Sequence, residues 1–296
     1  MNLPSGLHEF LDPQCNRAEF IQKYLLDLGL KSTAVVLEGR SHIYVDLPKD
    51  CYDSKYKIKT LVAHYDRVHK SPGANDNSSG VFALLNAAKY FTENHGIYNI
   101  RMIFTDAEEE GRFGVTSQGA FALAKKFKDL GTMDGEVFVF DCVGRGDVPV
   151  LCALELPSNA EPILKRNYAM LQNQIRGILS SYSSSSPVEV PASFSDNAGF
   201  LANGIAACAI TMLPRDEVSN YMSNLSRIPG LAESVMNRRL EDVPDKIAPE
   251  YKLRESIPLT WRYFHTCYDT ETTLTPVSFS IIQKVIIDIA RTNFIK

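Results

Sequence analysis

Short, nearly continuous apolar runs alternate along this chain with longer segments whose apolar residues recur at helical spacing. The runs KIKTLVAH, NIRMIFTD, EVFVFD and GIAACAITML are typical of strands that are covered on both faces. The segments GVFALLNAAKYF, VTSQGAFALAKKF, EPILKRNYAMLQNQIRGILSSY and VSFSIIQKVIIDIARTNF predict helices. This order predicts an α/β fold: a single three-layer domain over residues 1–296, in which helices flank a central, mostly parallel, mixed and twisted sheet.

The N-terminal part of the chain adds a helix and a hairpin to this pattern. The segment RAEFIQKYLLDLGL follows Asn16, a favourable helix cap, and its apolar residues share one helical face. The runs AVVLE and HIYVDL are rich in β-branched residues and are separated by GRS, so we expect two strands joined as a hairpin.

Composition and charge limit the classes of partner. The chain is 45% hydrophobic and has 31 basic and 35 acidic residues, a formal charge of -4. Because no global basic field is present, we expect a peptide or small-solute partner, no nucleic acid and no membrane. The N-terminus lacks a secretory signal pattern, and we expect a cytoplasmic protein. The six cysteines form no CxxC pair and are expected to be buried thiols.

Polar side chains follow three of the predicted strands where each strand ends. His64 and Asp66 follow LVA, the run DAEEEG (106–111) follows IRMIFT, and Asp141 follows EVFVF. In open α/β sheets, ligands bind in the crevice at the carboxyl ends of the strands. We therefore expect these side chains to converge.

A metal ion would explain carboxylates at these positions. A run of glutamates is usually a solvated face, which fits Glu110, but Glu108 and Glu109 directly follow an apolar strand. Buried carboxylates are costly unless they are paired or bound to metal. With imidazole and carboxylate ligands mixed, zinc is the first choice, and manganese or cobalt are the alternatives.

The stretch AHYDRVHKSPGANDNSSG contains two histidines and two aspartates around a turn. His64 and Asp76 stand twelve residues apart across a proline-glycine pair, so the chain can fold back and present both to one ion. Asp66 is two residues beyond His64 on an extended chain and is expected to orient its imidazole. His69 has no comparable partner and is interpreted as a loop histidine.

The second expected histidine ligand lies near the end of the chain, in HTCYDT (265–270). His265 would usually be structural when considered alone. Asp269 and Thr270 follow it closely, and we expect their hydrogen-bonding groups to fix its ring.

Six short motifs resemble, in order, those of the co-catalytic di-zinc aminopeptidases, whose relatives include glutaminyl cyclases and glutamate carboxypeptidases. The motifs are AHYD, GANDNSSG, AEEEG, VFDCVG, SDNAGF and HTCYDT, within residues 61–270. The resemblance implies a zinc-exopeptidase fold with two zinc ions. It also implies cleavage of the N-terminal peptide bond of a peptide or small amide with a free N-terminus, through a water that bridges the ions.

The same resemblance implies a role for each site residue. Asp76 would bridge both ions, His64 and Asp141 would complete the ligands of one ion, and Glu109 and His265 those of the other. Glu108 would be the general base, with Asp66 as the supporting catalytic carboxylate. The peptide bond between Asp76 and Asn77 would be cis.

The sequence also departs from the family pattern. Phe264 stands where some relatives have a tyrosine before the last histidine, and Asn197 where a histidine often follows the SD element. Asp196 of that element is interpreted as a pocket residue or one that supports the ligands. Two alternatives stay open: a glutaminyl cyclase-like acyl transferase with one zinc, and a binding relative without catalysis.

The segment 214–261 is long for a connection between a strand and a loop. A solvated helical excursion is the simpler interpretation, and a lid that offers an arginine to a carboxylate-bearing substrate is the sharper one. The arginines at or near its borders are Arg215, Arg227, Arg238, Arg239, Arg254 and Arg262.

Overall fold

A twisted mixed sheet forms the centre of the described structure. The computed structural model describes residues 2–132, 135–184, 186, 188–238 and 253–293. The strands are β1 Ser32–Leu37, β2 Arg40–Asp46, β3 Lys59–His64, β4 Ile100–Thr105, β5 Val137–Phe140, β6 Val148–Ala153, β7 Glu189–Pro191 and β8 Ala207–Leu213. They lie in the order β1-β2-β4-β3-β5-β8-β6-β7 within the described chain.

The four central strands are mutually parallel, and the outer strands are mixed. Strands β4, β3, β5 and β8 pair in parallel, whereas β1 with β2, β2 with β4, and β6 with β8 pair antiparallel. All residues of the four central strands are buried. The predicted sheet type, the hairpin and the buried strands are confirmed.

Helices flank this sheet. They are α1 Leu7–Leu11, α2 Arg17–Asp27, α3 Gly80–Glu93, α4 Gly119–Leu130, α5 Pro162–Ser180, α6 Asn197–Ala202, α7 Arg215–Arg227, α8 Leu231–Met236, α9 Leu259–Arg262 and α10 Pro276–Arg291. Helix α10 packs against α3 and α5, and α4 packs against α6. The side chain of Asn16 accepts a hydrogen bond from the Glu19 amide, as expected of the cap of α2.

Two strands, β6 and β7, were not predicted, because their sequences weaken the strand pattern. Strand β6 contains Pro149, which lacks an N–H donor, and β7 has three residues. Strand β7 pairs with β6 only from Leu151 onward, so the missing donor of Pro149 breaks no bond on that side. The predicted helix over 115–127 begins later than expected, at Gly119.

Cysteines and membrane segments were also predicted from the sequence. All six cysteines are free thiols; Cys51, Cys142, Cys152 and Cys208 are buried, whereas Cys15 is partly buried and Cys267 is exposed. Burial was therefore predicted wrongly for Cys267, which lies in a surface loop. Within the described ranges, no helix combines the length and the apolar character needed to cross a membrane.

Candidate metal centre

Three parallel strands bring the predicted polar residues to one edge of the sheet. His64 is the last residue of β3 and lies beside Thr105, the last residue of β4. Strand β5 ends at Phe140, directly before Asp141. The chain turns sharply after β4 and β5, with positive φ angles of 59° at Ala107 and 56° at Cys142. These turns let the following side chains lie at the strand ends instead of continuing the sheet.

A first cluster combines His64, Asp76 and Asp141. The Nε2 atom of His64 lies 3.4 Å from Oδ1 of Asp76 and 3.6 Å from Oδ1 of Asp141. One potential ligand atom from each residue lies within 4.8 Å of the other two. The side chain of His64 is fully buried, whereas that of Asp141 is 19% exposed.

A second cluster combines Asp76, Glu109 and His265. The Nε2 atom of His265 lies 3.0 Å from Oε2 of Glu109 and 3.5 Å from Oδ2 of Asp76. Asp76 therefore directs Oδ1 toward the first cluster and Oδ2 toward the second. A carboxylate placed in this way can bridge two ions.

The chemistry of these donors fits metal ions. Nε2 of His64 and Oε2 of Glu109 are buried, and each lies within 3.6 Å of an ionisable side chain of its own cluster. Burial, and then the charge of Asp76, raises the pKa of Glu109 to about 8. Burial alone would lower the pKa of His64, but hydrogen bonds with Asp141 and other carboxylates raise it well above its usual range. The pocket thus favours a positive charge, and mixed imidazole and carboxylate donors suit zinc.

Asp66 links the two clusters. Its Oδ1 lies 3.2 Å from Nδ1 of His64, which fixes the ring so that Nε2 faces the first cluster. The backbone amides of Glu108 and Glu109 donate to the two oxygens of Asp66, both at 3.1 Å. The same carboxylate therefore orients His64 and holds the turn that carries Glu108 and Glu109.

The turn that carries Asp76 is held by buried hydrogen bonds. Asp269 accepts from the backbone amides of Asn75 and Asp76 at 2.8 and 3.0 Å. The hydroxyl of Ser79 donates to the Asn75 carbonyl at 2.7 Å. Gly73 has a φ of 64°, a conformation that favours glycine. The bond between Asp76 and Asn77 is cis, as the resemblance implied.

Asp269 acts differently from the sequence-based expectation. Its carboxylate contacts the backbone at residues 75–76 rather than fixing the ring of His265, and the hydroxyl of Thr270 pairs with that of Thr272 at 2.8 Å. His265 and Asp269, although close in sequence, therefore contact different parts of the molecule. The backbone of this loop turns at His265, where φ is 61°. Burial and the charge of Asp76 raise the pKa of Asp269 to about 7.

Glu108 lines the same pocket as the candidate metal ligands and has two further partners. The side-chain amide of Gln118 donates to Oε1 of Glu108 at 2.9 Å, and Nη1 of Arg238 lies 3.3 Å from the same oxygen. Burial raises the pKa of Glu108 to about 7, and the nearby Arg238 charge opposes that rise. Gln118 carried no signal in the sequence, because its contact with Glu108 arises only from the fold.

A pocket opens on this centre. Its described lining combines residues of both clusters with Glu108 and with aromatic side chains. The cluster residues are Asp76, Asp141 and His265, and the aromatic residues are Phe194, Trp261 and Phe264. Asp196 is not part of that lining; it is fully buried and accepts a hydrogen bond from the hydroxyl of Thr105. Phe264 thus supplies apolar surface where some relatives have a tyrosine.

Other polar residues singled out in the sequence lie away from the two clusters. His69 is exposed, and Glu110 is exposed and pairs with Arg40, as a solvated position would. Of the border arginines in the described ranges, only Arg238 lines the pocket, and Arg239 lies outside those ranges. The lid therefore stays a prediction. Among the described arginines of segment 214–261, Arg238 is the one that lines the pocket.

The chain is similar to several known proteins. Aminopeptidase Y of Saccharomyces cerevisiae is 44% identical over 57 residues, which are 19% of this chain and 11% of that relative. A glutaminyl cyclase of Porphyromonas gingivalis has a similar structure, with 14% identity over 96% of this chain and 94% of its own and a TM-score of 0.62. LapA aminopeptidase of Legionella pneumophila also has a TM-score of 0.62, with 14% identity over 98% of this chain and 71% of its own.

A zinc-dependent exopeptidase of Parabacteroides distasonis matches with 15% identity over 97% of this chain and 96% of its own, at a TM-score of 0.60. At these identities the three structures establish the fold, and they confirm the predicted zinc-exopeptidase-like architecture. Residues 46–290 match the sequence profile of peptidase family M28. Because this match covers most of the chain, the protein belongs to peptidase family M28.

Proposed function

We propose that this protein is a metal-dependent aminopeptidase that removes the N-terminal residue of peptides with two zinc ions bound. One observation carries the proposal: Asp76 directs one carboxylate oxygen to each of two buried ligand clusters. Membership of a peptidase family and the local similarity to yeast aminopeptidase Y support it. Manganese or cobalt would suit the same donors.

His64 and Asp141 would hold one ion and Glu109 and His265 the other, with Asp76 shared between them. When bound, a pair of ions polarises the scissile carbonyl and lowers the pKa of a water molecule. The chain itself supplies the proton transfer. Glu108 is buried in the same pocket, and the Gln118 amide at 2.9 Å fixes its carboxylate.

Glu108 is placed to take a proton from water and pass it to the leaving amine. A general base of this kind must reach the reacting atoms and exchange its proton near neutral pH. Asp66 supports this step indirectly. Its carboxylate accepts a hydrogen bond from the backbone amide of Glu108 at 3.1 Å and so keeps the turn fixed. We therefore assign Glu108 the catalytic role and Asp66 the positioning role.

The pocket also suits the free N-terminus of a peptide. Glu108, Asp141 and Asp76 concentrate carboxylates in its lining, which favours an ammonium group. Phe194, Trp261 and Phe264 add apolar surface for a side chain. This combination favours an exopeptidase with a peptide or small amide substrate.

The single-domain organisation and the cytoplasmic location stay predictions.

Metal content and activity, measured together, test the proposal. We expect two zinc ions per chain, hydrolysis of aminoacyl p-nitroanilides and peptides, and loss of that activity with a chelator until zinc is restored. One ion per chain with cyclisation of N-terminal glutamine would instead support a glutaminyl cyclase. Metal binding without turnover of either kind of substrate would indicate the binding relative.

A further inference from the structure

An arginine from the segment 214–261 reaches the proposed general base. Nη1 of Arg238 lies 3.3 Å from Oε1 of Glu108, and the Arg238 side chain is 10% exposed. Its guanidinium carbon lies 5.0 Å from the centre of the Phe194 ring. Stacking on an aromatic ring restricts the plane of a guanidinium group. Arg238 is therefore held at the pocket and is not a mobile surface side chain.

The neighbouring backbone leaves room for this arginine. A Cβ atom at Gly111 would lie 2.9 Å from Nη1 of Arg238 and 2.9 Å from the Gln118 side chain, so a larger residue there would have to displace both groups. Arg238 itself adopts a positive φ of 56°. Among the described residues that line the pocket, it is the single lysine or arginine in a lining otherwise rich in carboxylates.

We propose that Arg238 binds the α-carboxylate of the leaving residue, so that the enzyme prefers dipeptides with a free C-terminus. This inference rests on the proposed aminopeptidase function, since Glu108 then delivers its proton to the leaving nitrogen. The carboxyl carbon of a C-terminal leaving residue is only two bonds from that nitrogen. A guanidinium in contact with Glu108 is thus within reach of this carboxylate.

The chemistry of arginine allows both contacts at once. A guanidinium has five N–H donors in one plane and can pair with more than one carboxylate. In a longer peptide, an amide replaces the carboxylate and offers no charge to Arg238. Charge-assisted hydrogen bonds of this kind typically change affinity by about 10- to 100-fold. We expect that factor between a dipeptide and its C-terminal amide.

Matched substrates distinguish the possible positions of the carboxylate. Leu-Ala against Leu-Ala-amide tests the C-terminal carboxylate, Leu-Asp-amide against Leu-Asn-amide tests a side chain on the leaving residue, and Glu- against Gln-p-nitroanilide tests the N-terminal residue. We expect the zinc-loaded enzyme to favour Leu-Ala over its amide by about 10- to 100-fold in kcat/KM, mainly through KM. The Glu and Gln anilides should show no such preference.

Variants assign that preference to Arg238. In Arg238→Gln the Leu-Ala to Leu-Ala-amide ratio should fall toward one, and Arg238→Lys should retain part of it. Arg227→Gln is the matched control, because Arg227 is an exposed arginine of the same segment on α7. Calorimetric binding of a Leu-Ala analogue with a reduced peptide bond, as acid and as amide, gives a second readout that does not require turnover.

The outcomes separate this inference from the proposed function. If the wild-type enzyme hydrolyses peptides but Arg238→Gln, folded as judged by its melting temperature, keeps the same preference for the free acid, the assignment to Arg238 is wrong. A preference for the Glu anilide that depends on Arg238 would overturn the dipeptide inference. If no peptide or anilide is hydrolysed at all, the aminopeptidase proposal fails, and this inference fails with it.

Discussion

The two ligand clusters share Asp76 but rest on different kinds of structure. In the first cluster, His64 ends β3 and Asp141 directly follows β5, and these strands are parallel neighbours, with Val62 paired to Val139. The sheet therefore fixes the separation of these two candidate ligands. The side chain of His64 is fully buried and is oriented by Asp66. Sites on strands hold their geometry more closely than sites on loops.

The second cluster depends on segments outside the sheet. Glu109 begins a short turn after β4, and His265 lies in a loop between α9 and α10 with a φ of 61°. That loop is tied to the Asp76 turn by Asp269 and by the hydroxyl of Ser71, which donates to the Thr266 carbonyl at 3.1 Å. Its ligand geometry thus depends on loop packing as well as on the ligands themselves.

This difference predicts that the two ions of the centre bind with unequal affinity. The strand-based cluster should bind its ion more tightly, and the loop-based cluster should lose its ion first. Because Asp76 contributes one oxygen to each, the clusters are also coupled. Variants of the shared residue, of each histidine and of the supporting carboxylates test both statements.

Replacement of Asp76 should have the largest effect, because it removes the shared ligand. In Asp76→Ala we expect metal content after gel filtration to fall from about two ions per chain to nearly none, and peptide hydrolysis to fall to background. Elemental analysis and an aminoacyl p-nitroanilide assay measure the two quantities. Glu110→Gln is the control, since that exposed glutamate pairs with Arg40. Retention of both ions in Asp76→Ala would contradict the bridging role.

The two histidines should differ from each other. His265→Ala should keep one tightly bound ion through gel filtration, because the strand-based cluster is intact. His64→Ala should lose nearly all metal under the same conditions, because only the loop-based cluster remains. His69→Ala replaces an exposed histidine in the loop that follows β3, and this control variant should keep both ions. Equal metal content in the two ligand variants would remove the distinction between the clusters.

Glu108→Gln should separate catalysis from metal binding. The substitution keeps the shape of the side chain and its contact with Gln118, and it leaves every residue of both clusters in place. Loss of a general base typically lowers kcat by about 10²- to 10⁴-fold. We expect that loss with two ions still bound, measured on the same zinc-loaded sample. Turnover close to that of the wild type would refute the assignment of the base.

The strand-based half of the site was the more predictable from the sequence. His64 and Asp141 lie at the ends of apolar runs, and neighbouring parallel strands bring such ends together independently of the loop conformations. Glu109 of the loop-based cluster was also predicted, because it follows the apolar run of β4. His265 depended mainly on the family resemblance, because no local pattern shows where a distant loop will lie. Asp269 was assigned to the wrong partner for the same reason: its spatial neighbours are residues 75–76, far away in the sequence.

The fold shows the same limit. The four central strands were predicted because burial on both faces leaves a continuous apolar run, whereas β6 and β7 were missed because Pro149 and the three-residue length of β7 weaken the strand pattern. Gln118 and Arg238 reach Glu108 only through tertiary packing. Residues that support a site from other segments therefore need the structure.

Asp66 gives the smallest and most discriminating prediction. Residues that orient metal ligands typically contribute about 10- to 100-fold to metal affinity, and Asp66 contacts the ring of His64 directly but Glu109 only through its backbone amide. Asp66→Asn should therefore weaken the tighter zinc site by about that factor and the weaker site by less, as measured by calorimetric zinc titration. The two affinities would then approach each other, which reduces the contrast between the clusters without removing either. If only the weaker site responds, the Asp66 carboxylate serves the Glu109 turn more than the His64 ring, and the rigidity of the strand-based cluster comes from the sheet alone.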